Sequence, residues 1–355
     1  MLRQKELPVD LIAKTRDEFD VAGVLGLQST PIRGLSDRLR HEFDPWFLNT
    51  HGWRLDHKGL GVLRGLCESH DMVWVHNLFT ANAAGLARWP RSVLDIDDIV
   101  SQYHRSEIRS SISWKDRVIN VRRAWLWKRR EALLLNRFDV LGVCSEADRG
   151  YLGGSERVHT IPNGYDAASA DPSRVPMDPP RIGFIGTVKY PPNREGIQWF
   201  IDKVWPVVKS KCPRARLRLV GDGTDSFTAA NGVGIDGLGW VEDSHQEIAT
   251  WLLTVVPIRF GGGTRIKIAE AFSRKCPVVS THSGAFGYDV KSGDELMLAD
   301  DPTSFANACL SILANQQLGE QLAERAWKKY VANWTWSAIG PKVEAAVEHC
   351  LSLSG

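Results

Sequence analysis

The chain has 355 residues, which is more than one ordinary hydrophobic core accommodates and suits two domains of roughly 150 residues. A formal net charge of +2 gives no argument for nucleic acid as a partner. The six cysteines are scattered without a C-x-x-C pair, which fits a reduced compartment and does not fit a disulfide or zinc framework. The sequence has no apolar run that could cross a bilayer and no signal-peptide pattern, so we expect a cytoplasmic protein.

The first half of the chain contains four apolar runs that end in polar residues. They predict strands at residues 71–76, 92–95, 137–144 and 158–162. Residues 21–27 could form a further strand, but no Gly-rich phosphate loop follows it, so the first domain is predicted to be shortened at its start. Residues 167–180 are rich in Asp, Ser and Pro and have no apolar period, which is typical of a linker.

The second half alternates strand and helix patterns more clearly. Strands are predicted at residues 181–186, 216–221, 233–239, 252–257 and 277–280, with helices after Pro191-Pro192, near 244–250 and at about 264–274. Strands that are apolar throughout their length and alternate with helices indicate a parallel sheet covered on both faces. We therefore expect an N-terminal domain at 1–166, a linker at 167–180, a C-terminal domain at 181–337, and a helix at 338–355 that packs back on the first domain.

The strongest local signal is the run Gly261-Gly262-Gly263-Thr264 between a predicted strand and a predicted helix. Glycines let the backbone approach a ligand closely, and free N–H groups at a helix start carry partial positive charge, so the turn predicts a pyrophosphate site. Arg265 and Lys267 add positive charge, and Glu270 could accept hydrogen bonds from ribose hydroxyls. A flexible turn before a core helix, with Arg and Lys in solvent, is the equal alternative for this segment alone.

Four motifs in register resemble the C-terminal domain of retaining GT-B glycosyltransferases of family four, group 1 type, in a branch associated with bacterial exopolysaccharide or capsule assembly. The motifs are Ile161–Asp166, Phe184–Thr187 with Pro192-Asn193, Gly237–Val241, and Gly261–Glu270 running into Cys276–Ser280. The resemblance implies an α/β GT-B fold, in which two Rossmann-like parallel-sheet domains face each other across a cleft. It also implies transfer from a nucleotide-diphosphate sugar, of UDP or GDP type, to a hydroxyl acceptor, with retention and without a metal or other cofactor.

The same resemblance assigns site residues one position at a time. Lys267 would add charge at the donor diphosphate and sugar, Glu270 would hold the ribose, and Trp240 and Val241 would flank the base. The donor-binding residues that it implies are Gly186, Thr187, Lys189, Asn193, Trp240, Val241, Gly262, Gly263, Thr264, Arg265, Lys267 and Glu270. The first Glu of the family's E-x7-E motif would fall at Gly262 and is missing, which leaves recognition of the sugar hydroxyls open.

Asp95-Ile-Asp97-Asp98 ends a predicted strand, where open α/β sheets carry functional residues. The resemblance places this segment near the reacting sugar, so Asp97 and Asp98 are predicted to orient or deprotonate the acceptor hydroxyl. Arg265 and Lys267 complete the predicted catalytic set by stabilising the leaving diphosphate. A capping and turn cluster is the equal alternative for the two aspartates. The pattern also mimics a metal-binding D-x-D, but the fold that uses that motif lacks the C-terminal pattern, so no metal site is predicted.

Residues 114–137 combine an apolar helical face with a local net charge of +6. Trp114, Val118, Val121 and Trp125 share one face. The only carboxylates of the segment are Asp116 and Glu131, against eight cations: Lys115, Arg117, Arg122, Arg123, Lys128, Arg129, Arg130 and Arg137. Such a helix can lie on an anionic membrane surface, which would suit a lipid-linked saccharide acceptor and a position at the inner face of the plasma membrane. The pattern slightly favours the alternative, a solvated basic face on a helix packed against the core.

Two other functions stay open. One is a nucleotide-sugar epimerase of the same two-domain shape, which would need no acceptor. The other is a non-catalytic GT-B homologue that binds a nucleotide sugar or a partner protein, suggested by the missing Glu and by the predicted short start. The sequence identifies neither the base, nor the sugar, nor the acceptor.

Overall fold

The computed structural model describes residues 27, 29–31, 34–44, 53–110, 113–165, 174–227 and 233–353. The predicted strand at 21–27 except for its last residue, the last residue of the Ile161–Asp166 motif, and residues 167–173 of the predicted linker lie outside the described residues. The strands are β1 (Ser29–Pro31), β2 (Trp53–Leu55), β3 (Val73–His76), β4 (Ser92–Ile96), β5 (Val140–Val143), β6 (Val158–Thr160), β7 (Arg181–Ile185), β8 (Arg216–Val220), β9 (Ile235–Gly239), β10 (Leu253–Val256), β11 (Val278–Ser280) and β12 (Met297–Leu298).

Helices connect most of these strands. They are α1 (Leu35–Phe43), α2 (His57–Ser69), α3 (Leu78–Ala83), α4 (Val100–Ser110), α5 (Trp114–Glu131), α6 (Leu134–Arg137), α7 (Glu146–Tyr151), α8 (Pro191–Trp199), α9 (Trp205–Lys211), α10 (Ser244–Ala249), α11 (Ile266–Ser273), α12 (Pro302–Ala314), α13 (Gln316–Asn333) and α14 (Trp336–Ser352). A π-helical turn, Phe200–Val204, joins α8 to α9, and Thr224–Ser226 form a 3₁₀ turn. None of the helices within the described ranges is long and apolar enough to cross a membrane.

The chain divides into two compact units. The first contains the residues up to Ile96, Leu126–Gly142 and the residues from Ala346 onward, and the second contains Asp97–Trp125 and Val143–Ala345. The domain boundaries expected from the sequence, at residues 166, 180 and 337, stay predictions.

Two sheets carry the fold. β3, β4, β5 and β6 form a four-stranded sheet in that order, with β3 and β4 parallel. In the second unit, six strands lie in the order β12-β11-β10-β7-β8-β9, and each neighbouring pair is parallel. The α/β class with two parallel sheets is therefore confirmed. β1 and β2 form a separate antiparallel pair.

The six-stranded sheet is apolar on both faces. Successive side chains of a strand point to opposite faces, and Val255 and Val256 accordingly join two different buried clusters. One cluster contains Phe184, Phe200 and Phe305, and the other contains Trp251 and Phe272. β7, β10 and β11 are accordingly apolar for most of their length, and the predicted positions of β7 to β11 agree with the structure within two residues. The sequence did not predict β12.

Several elements begin where the sequence supplies a cap. The Asp301 side chain accepts hydrogen bonds from the backbone N–H groups of Thr303 and Ser304, and Pro302 takes the first helical position, where its missing N–H costs nothing. Pro191 begins α8 in the same way. One predicted element is corrected: residues 114–137 do not form one helix, because α5 ends at Glu131 and a separate turn of helix, α6, begins at Leu134.

Candidate active site

The Gly-rich turn lies between β10 and α11 in the second unit. β10 is one of the central strands of the six-stranded sheet, so the turn leaves from the carboxyl end of the sheet, where open α/β folds bind ligands. Gly261 and Gly263 have φ values of 121° and 66°, which side chains other than hydrogen rarely adopt. The helix starts later than expected, at Ile266, because Arg265 is extended at the N-cap position.

Asp98 and Ser106 hold this turn. The Gly261 N–H donates to Ser106 Oγ at 2.8 Å, and a Cβ atom on Gly263 would clash with Asp98 Oδ1. The Asp97 carbonyl accepts a hydrogen bond from Cys144 Sγ at 3.4 Å. Asp98 keeps a solvent-accessible face, yet the protein groups around it desolvate the carboxyl and raise its pKa, while the positive charge of Arg265 opposes that shift. The structure thus brings the predicted acidic segment against the predicted phosphate loop.

Arg265 is buried, with only 7% of its surface exposed. Its Nη1 donates to the carbonyls of Gly262 and Gly263, so the guanidinium is bound to the turn that precedes it. Its Nε and Nη2 atoms are buried and have no hydrogen-bond partner among the described residues. Burial lowers the pKa of Arg265, and the nearby Tyr190 and Asp98 oppose that shift. A buried cation with two unsatisfied nitrogens is costly unless an anion completes its bonding.

Lys267 joins the turn to the first loop of the unit. Its Nζ donates to Asn193 Oδ1 at 2.7 Å and lies 4.4 Å from the centre of the Phe184 ring. The Asn193 amide in turn donates to the Thr187 carbonyl at 2.9 Å, and a Cβ atom on Gly186 would lie 2.9 Å from Lys267 Nζ. Desolvation, and next the charge of Arg265, lower the pKa of Lys267 to about 7. Gly186, Thr187, Asn193 and Lys267, separated by up to 81 positions in the sequence, therefore form one cluster.

Lys189 lies elsewhere. Its side chain is 75% exposed, and Nζ forms an ion pair with Asp222 Oδ2 at 2.6 Å. The hydrogen bond to Asp222 raises its pKa. The ammonium group that the resemblance assigned to donor binding thus pairs with a surface carboxylate.

Glu270 is buried in α11 and accepts two hydrogen bonds through Oε1. Tyr165 Oη donates at 2.9 Å and Ser244 Oγ at 3.0 Å. Burial and the neighbouring Glu270 carboxylate raise the pKa of Tyr165. The tyrosine and the serine therefore fix the position of the Glu270 carboxylate.

Trp240 and Val241 follow β9 and differ in environment. Trp240 is 74% exposed, and Val241 packs against a buried cluster that includes Val256 and Phe272. Val241 therefore anchors the segment while the Trp240 indole faces solvent.

The Gly-rich turn is also bound at Thr264. Its Oγ1 accepts a hydrogen bond from Asn163 Nδ2 at 3.2 Å.

Sequence reasoning missed four residues of this site. Ser106, Tyr190 and Ser244 carried no recognisable signal, because a serine or tyrosine in a helix or loop is common. Tyr165 belongs to the motif Ile161–Asp166, but that motif did not predict its hydrogen bond to Glu270. His76, which ends a predicted strand, lies in the other unit with a 62% exposed side chain and a hydrogen bond of 3.1 Å to Asp95.

The chain is similar to several known proteins. The family model described as Glycosyl transferases group 1 matches residues 179–315, which contain the Gly-rich turn and α11. A lipopolysaccharide core biosynthesis glycosyltransferase, LpsE of Rhizobium meliloti (strain 1021), is 27% identical over 173 residues, or 46% of this chain and 48% of that protein. An uncharacterized 44.6 kDa protein in the cps region of Klebsiella pneumoniae is 22% identical over 161 residues, 42% of each chain. The chain thus spans less than half the length of the curated relatives that it matches.

Among solved structures, HepE of Anabaena in complex with UDP is similar, with a TM-score of 0.61 and 18% identity, and the match covers 82% of each chain. At this identity the likeness shows the fold, which is that of GT-B glycosyltransferases. The part of the chain that carries the candidate site matches the glycosyl transferases group 1 family model, and the resemblance seen in the sequence is confirmed.

Proposed function

We propose that this protein is a glycosyltransferase that moves a sugar from a nucleotide-diphosphate donor to a hydroxyl acceptor. The observation that carries the proposal is the buried Arg265 guanidinium, which is bound to the Gly-rich turn and has two nitrogens without a hydrogen bond to any described residue. A diphosphate supplies the charge and the acceptor oxygens that this group lacks. The turn and the start of α11 add backbone N–H groups for the same anion.

Different residues of the cluster would bind the phosphates, the ribose and the base of the donor. Gly262, Gly263, Thr264 and Arg265 would hold the phosphates, with Lys267 contributing charge through its contact with Asn193. The second oxygen of Glu270 would accept from the ribose, since Tyr165 and Ser244 both donate to the first. The exposed Trp240 would stack on the base, beside Val241. HepE, the similar Anabaena protein, was solved with UDP and with UDP-glucose, which supports a UDP-type donor over a GDP-type donor.

Transfer would break the bond between the anomeric carbon and the diphosphate oxygen and form a bond to the acceptor oxygen. Arg265 and Lys267 would stabilise the leaving diphosphate, and the acceptor proton would pass to the diphosphate or to a carboxylate. Asp98 is the candidate carboxylate, with Asp97 beside it, because it lies against Gly263 and its raised pKa favours proton acceptance. Retention and metal independence follow from the resemblance and belong to the proposal.

A cavity of about 470 Å³ beside the turn is our candidate for the acceptor. Its lining residues are Glu107, Asp116, Ile119, Asn120, Arg123, Glu195 and Phe260. Phe260 and Glu107 are chain neighbours of the hydrogen-bonded pair Gly261 and Ser106, so the cavity adjoins the donor loop. Carboxylates, an amide and a guanidinium are the groups that bind sugar hydroxyls, and Glu195 Oε2 is buried without a hydrogen bond to any described residue.

The named relatives suggest the pathway class. One is called a lipopolysaccharide core biosynthesis glycosyltransferase and another lies in a cps region. We infer that the acceptor is a precursor of a surface polysaccharide or glycolipid, used on the cytoplasmic side of the membrane. An epimerase would need no acceptor, and a non-catalytic homologue would bind the donor without consuming it, so product formation separates the three functions.

Calorimetry with UDP and GDP tests the donor site. We expect wild type to bind one nucleotide, and Arg265→Met to lose roughly tenfold to a hundredfold in affinity, since it removes a charge-assisted hydrogen-bond donor of similar volume. Arg214→Met is the matched control, because Arg214 is exposed and pairs with Asp178 in the same unit. If wild type binds neither nucleotide, the proposal fails.

Two variants then test the ribose assignment. Glu270→Ala should weaken nucleotide binding about tenfold or more, whereas Tyr165→Phe, which keeps the carboxylate, should change it only a few-fold. Equal affinity in wild type and Glu270→Ala would reject the role of Glu270 and leave the transferase proposal standing. Thermal unfolding of each variant shows whether a loss of binding is a loss of folding.

A further inference from the structure

Helix α5 exposes a stripe of large apolar side chains. Trp114, Val118, Val121 and Trp125 are 72%, 58%, 52% and 53% exposed. Their spacing of four, three and four residues places them on one face of the helix, about 16 Å long at 1.5 Å per residue. The stripe is therefore exposed, although Ala124, Leu126 and Trp127 of the same helix are buried.

Cations flank this stripe on both sides. At about 100° per residue, Arg117 and Lys128 fall along one edge, and Lys115, Arg122 and Arg129 along the other. The two carboxylates of the helix lie on its other half: Asp116 lines the cavity described above, and Glu131 is buried. The exposed half of the helix therefore combines apolar and positive side chains.

Arg130 does not belong to the exposed basic face that the sequence suggested. It is only 7% exposed, its Nη2 donates to the Asp44 carbonyl at 2.8 Å, and its guanidinium lies 4.9 Å from the centre of the Trp127 ring. Trp127 is itself buried and makes an edge contact with Phe79 at 5.7 Å. Trp127 and Arg130 therefore pack on the half of the helix opposite the stripe.

We propose that α5 docks the protein on a membrane surface rich in anionic lipid. The two tryptophans and two valines enter the boundary between headgroups and acyl chains, and the flanking Lys and Arg side chains contact lipid phosphates. Charge complementarity selects this occupant: five cations border a narrow apolar stripe that carries no carboxylate. Docking does not depend on the proposed transferase activity.

The same helix would link the membrane to the acceptor. Asp116, Ile119, Asn120 and Arg123, on its inner half, line the cavity proposed for the acceptor. A lipid-linked saccharide could therefore keep its lipid in the bilayer beside one face of α5 and present its sugar to the other. This second step rests on the proposed function.

Co-sedimentation with two kinds of vesicle tests the docking. One kind contains phosphatidylcholine alone and the other contains one third phosphatidylglycerol. We expect wild type to bind the second kind strongly and the first weakly, with binding to the second falling as salt rises. The variant K115Q/R117Q/R122Q should lose on the order of a hundredfold in binding to anionic vesicles, and V118S/V121S about tenfold.

Matched variants control for general surface effects. V207S/V331S changes two exposed valines on other helices, and R214Q/R325Q/K328Q removes three exposed cations elsewhere in the same unit. Both should bind like wild type, as should the charge-retaining R117K/R122K. UDP binding, measured on every variant, reports the fold and separates this proposal from the donor site. The proposal is overturned if wild type ignores anionic vesicles, or if the α5 variants bind them no worse than the controls.

Discussion

Arg265 and Lys267 lie two residues apart and meet different surroundings. Arg265 is held by backbone carbonyls of the turn, and a guanidinium keeps its charge even when burial lowers its pKa. Lys267 contacts a neutral amide and the Phe184 ring, so desolvation brings its pKa to about 7. Arg265 therefore supplies a fixed charge, and Lys267 a charge that depends on pH and on the ligand.

This difference predicts a pH dependence of donor binding. A bound diphosphate favours the charged form of Lys267, so binding takes up a proton above pH 7, and affinity should fall as the pH rises from about 7 to 9, by up to about tenfold per unit. Calorimetry with UDP-glucose in buffers of different ionisation enthalpy measures both the affinity and the proton uptake. Lys267→Met should lose the proton uptake and flatten the profile.

The unliganded protein should respond to pH in the opposite direction. Between pH 7 and about 10.5 the unfolded chain keeps a proton on Lys267 that the folded chain has released, so this group makes the free energy of unfolding rise with pH. If the free energy of unfolding rises with pH as much in Lys267→Met as in wild type, other groups cause the rise and this prediction is wrong.

At the scale of elements, one strand of the six-stranded sheet packs directly against an aromatic ring. Gly183 lies in β7, and a Cβ atom there would overlap the indole of the fully buried Trp251. Trp251 lies in the short connection between α10 and β10. The Trp251 ring also donates from Nε1 to Glu247 at 2.9 Å, and Glu247 accepts from Arg218 in β8. The ring is therefore held and cannot move aside freely.

Gly183→Ala should accordingly destabilise the second unit. We expect the free energy of unfolding to drop by about 1–3 kcal/mol, the usual cost of overpacking a rigid core. Gly340→Ala is the matched control: Gly340 lies inside α14 with open space around its Cα, so the change should be neutral or stabilise by up to about 1 kcal/mol. Urea unfolding followed by circular dichroism compares the two. If the two variants change the free energy of unfolding equally, Trp251 moves aside for the added methyl group and the prediction is wrong.

At the scale of the whole molecule, the predicted donor residues all fall in one compact unit. Gly186, Asn193, Trp240, Gly263 and Glu270 belong to the second unit, as does Asp98, which the sequence placed with the first domain. Donor binding should therefore stabilise the second unit directly.

Hydrogen exchange measures where that stabilisation appears. With UDP at a hundred times its Kd, we expect about 2.7 kcal/mol of added protection for the amides of residues 186–193 and 257–273 that open only by unfolding. Residues 73–96 of the first unit serve as the internal reference, and Arg265→Met at the same UDP concentration should gain only about 0.4–1.4 kcal/mol, because its Kd is tenfold to a hundredfold higher. Protection confined to 73–96 would contradict the assignment of the donor site.

The sequence by itself predicted the parallel sheets and the donor loop. Apolar runs alternating with helical patterns determine strand positions wherever a sheet is buried on both faces, as in β7 and β10. Gly261, Gly263 and the motifs around them are local patterns, because a tight turn before a helix needs those residues whatever packs against them. The motif register likewise predicted that Asn193 and Lys267 belong to one site.

Tertiary structure alone decided which groups meet and which faces stay exposed. Ser106 bonds to Gly261 across 155 positions, and Tyr165 to Glu270 across 105, and no local pattern encodes contacts at such separations. The spacing of Trp114, Val118, Val121 and Trp125 showed that they share a face of α5, but only the packing of the opposite half turned that face outward. Arg130 counted as one more surface cation until that packing buried it. Periodicity determines which side chains lie together, and the surrounding fold determines what they touch.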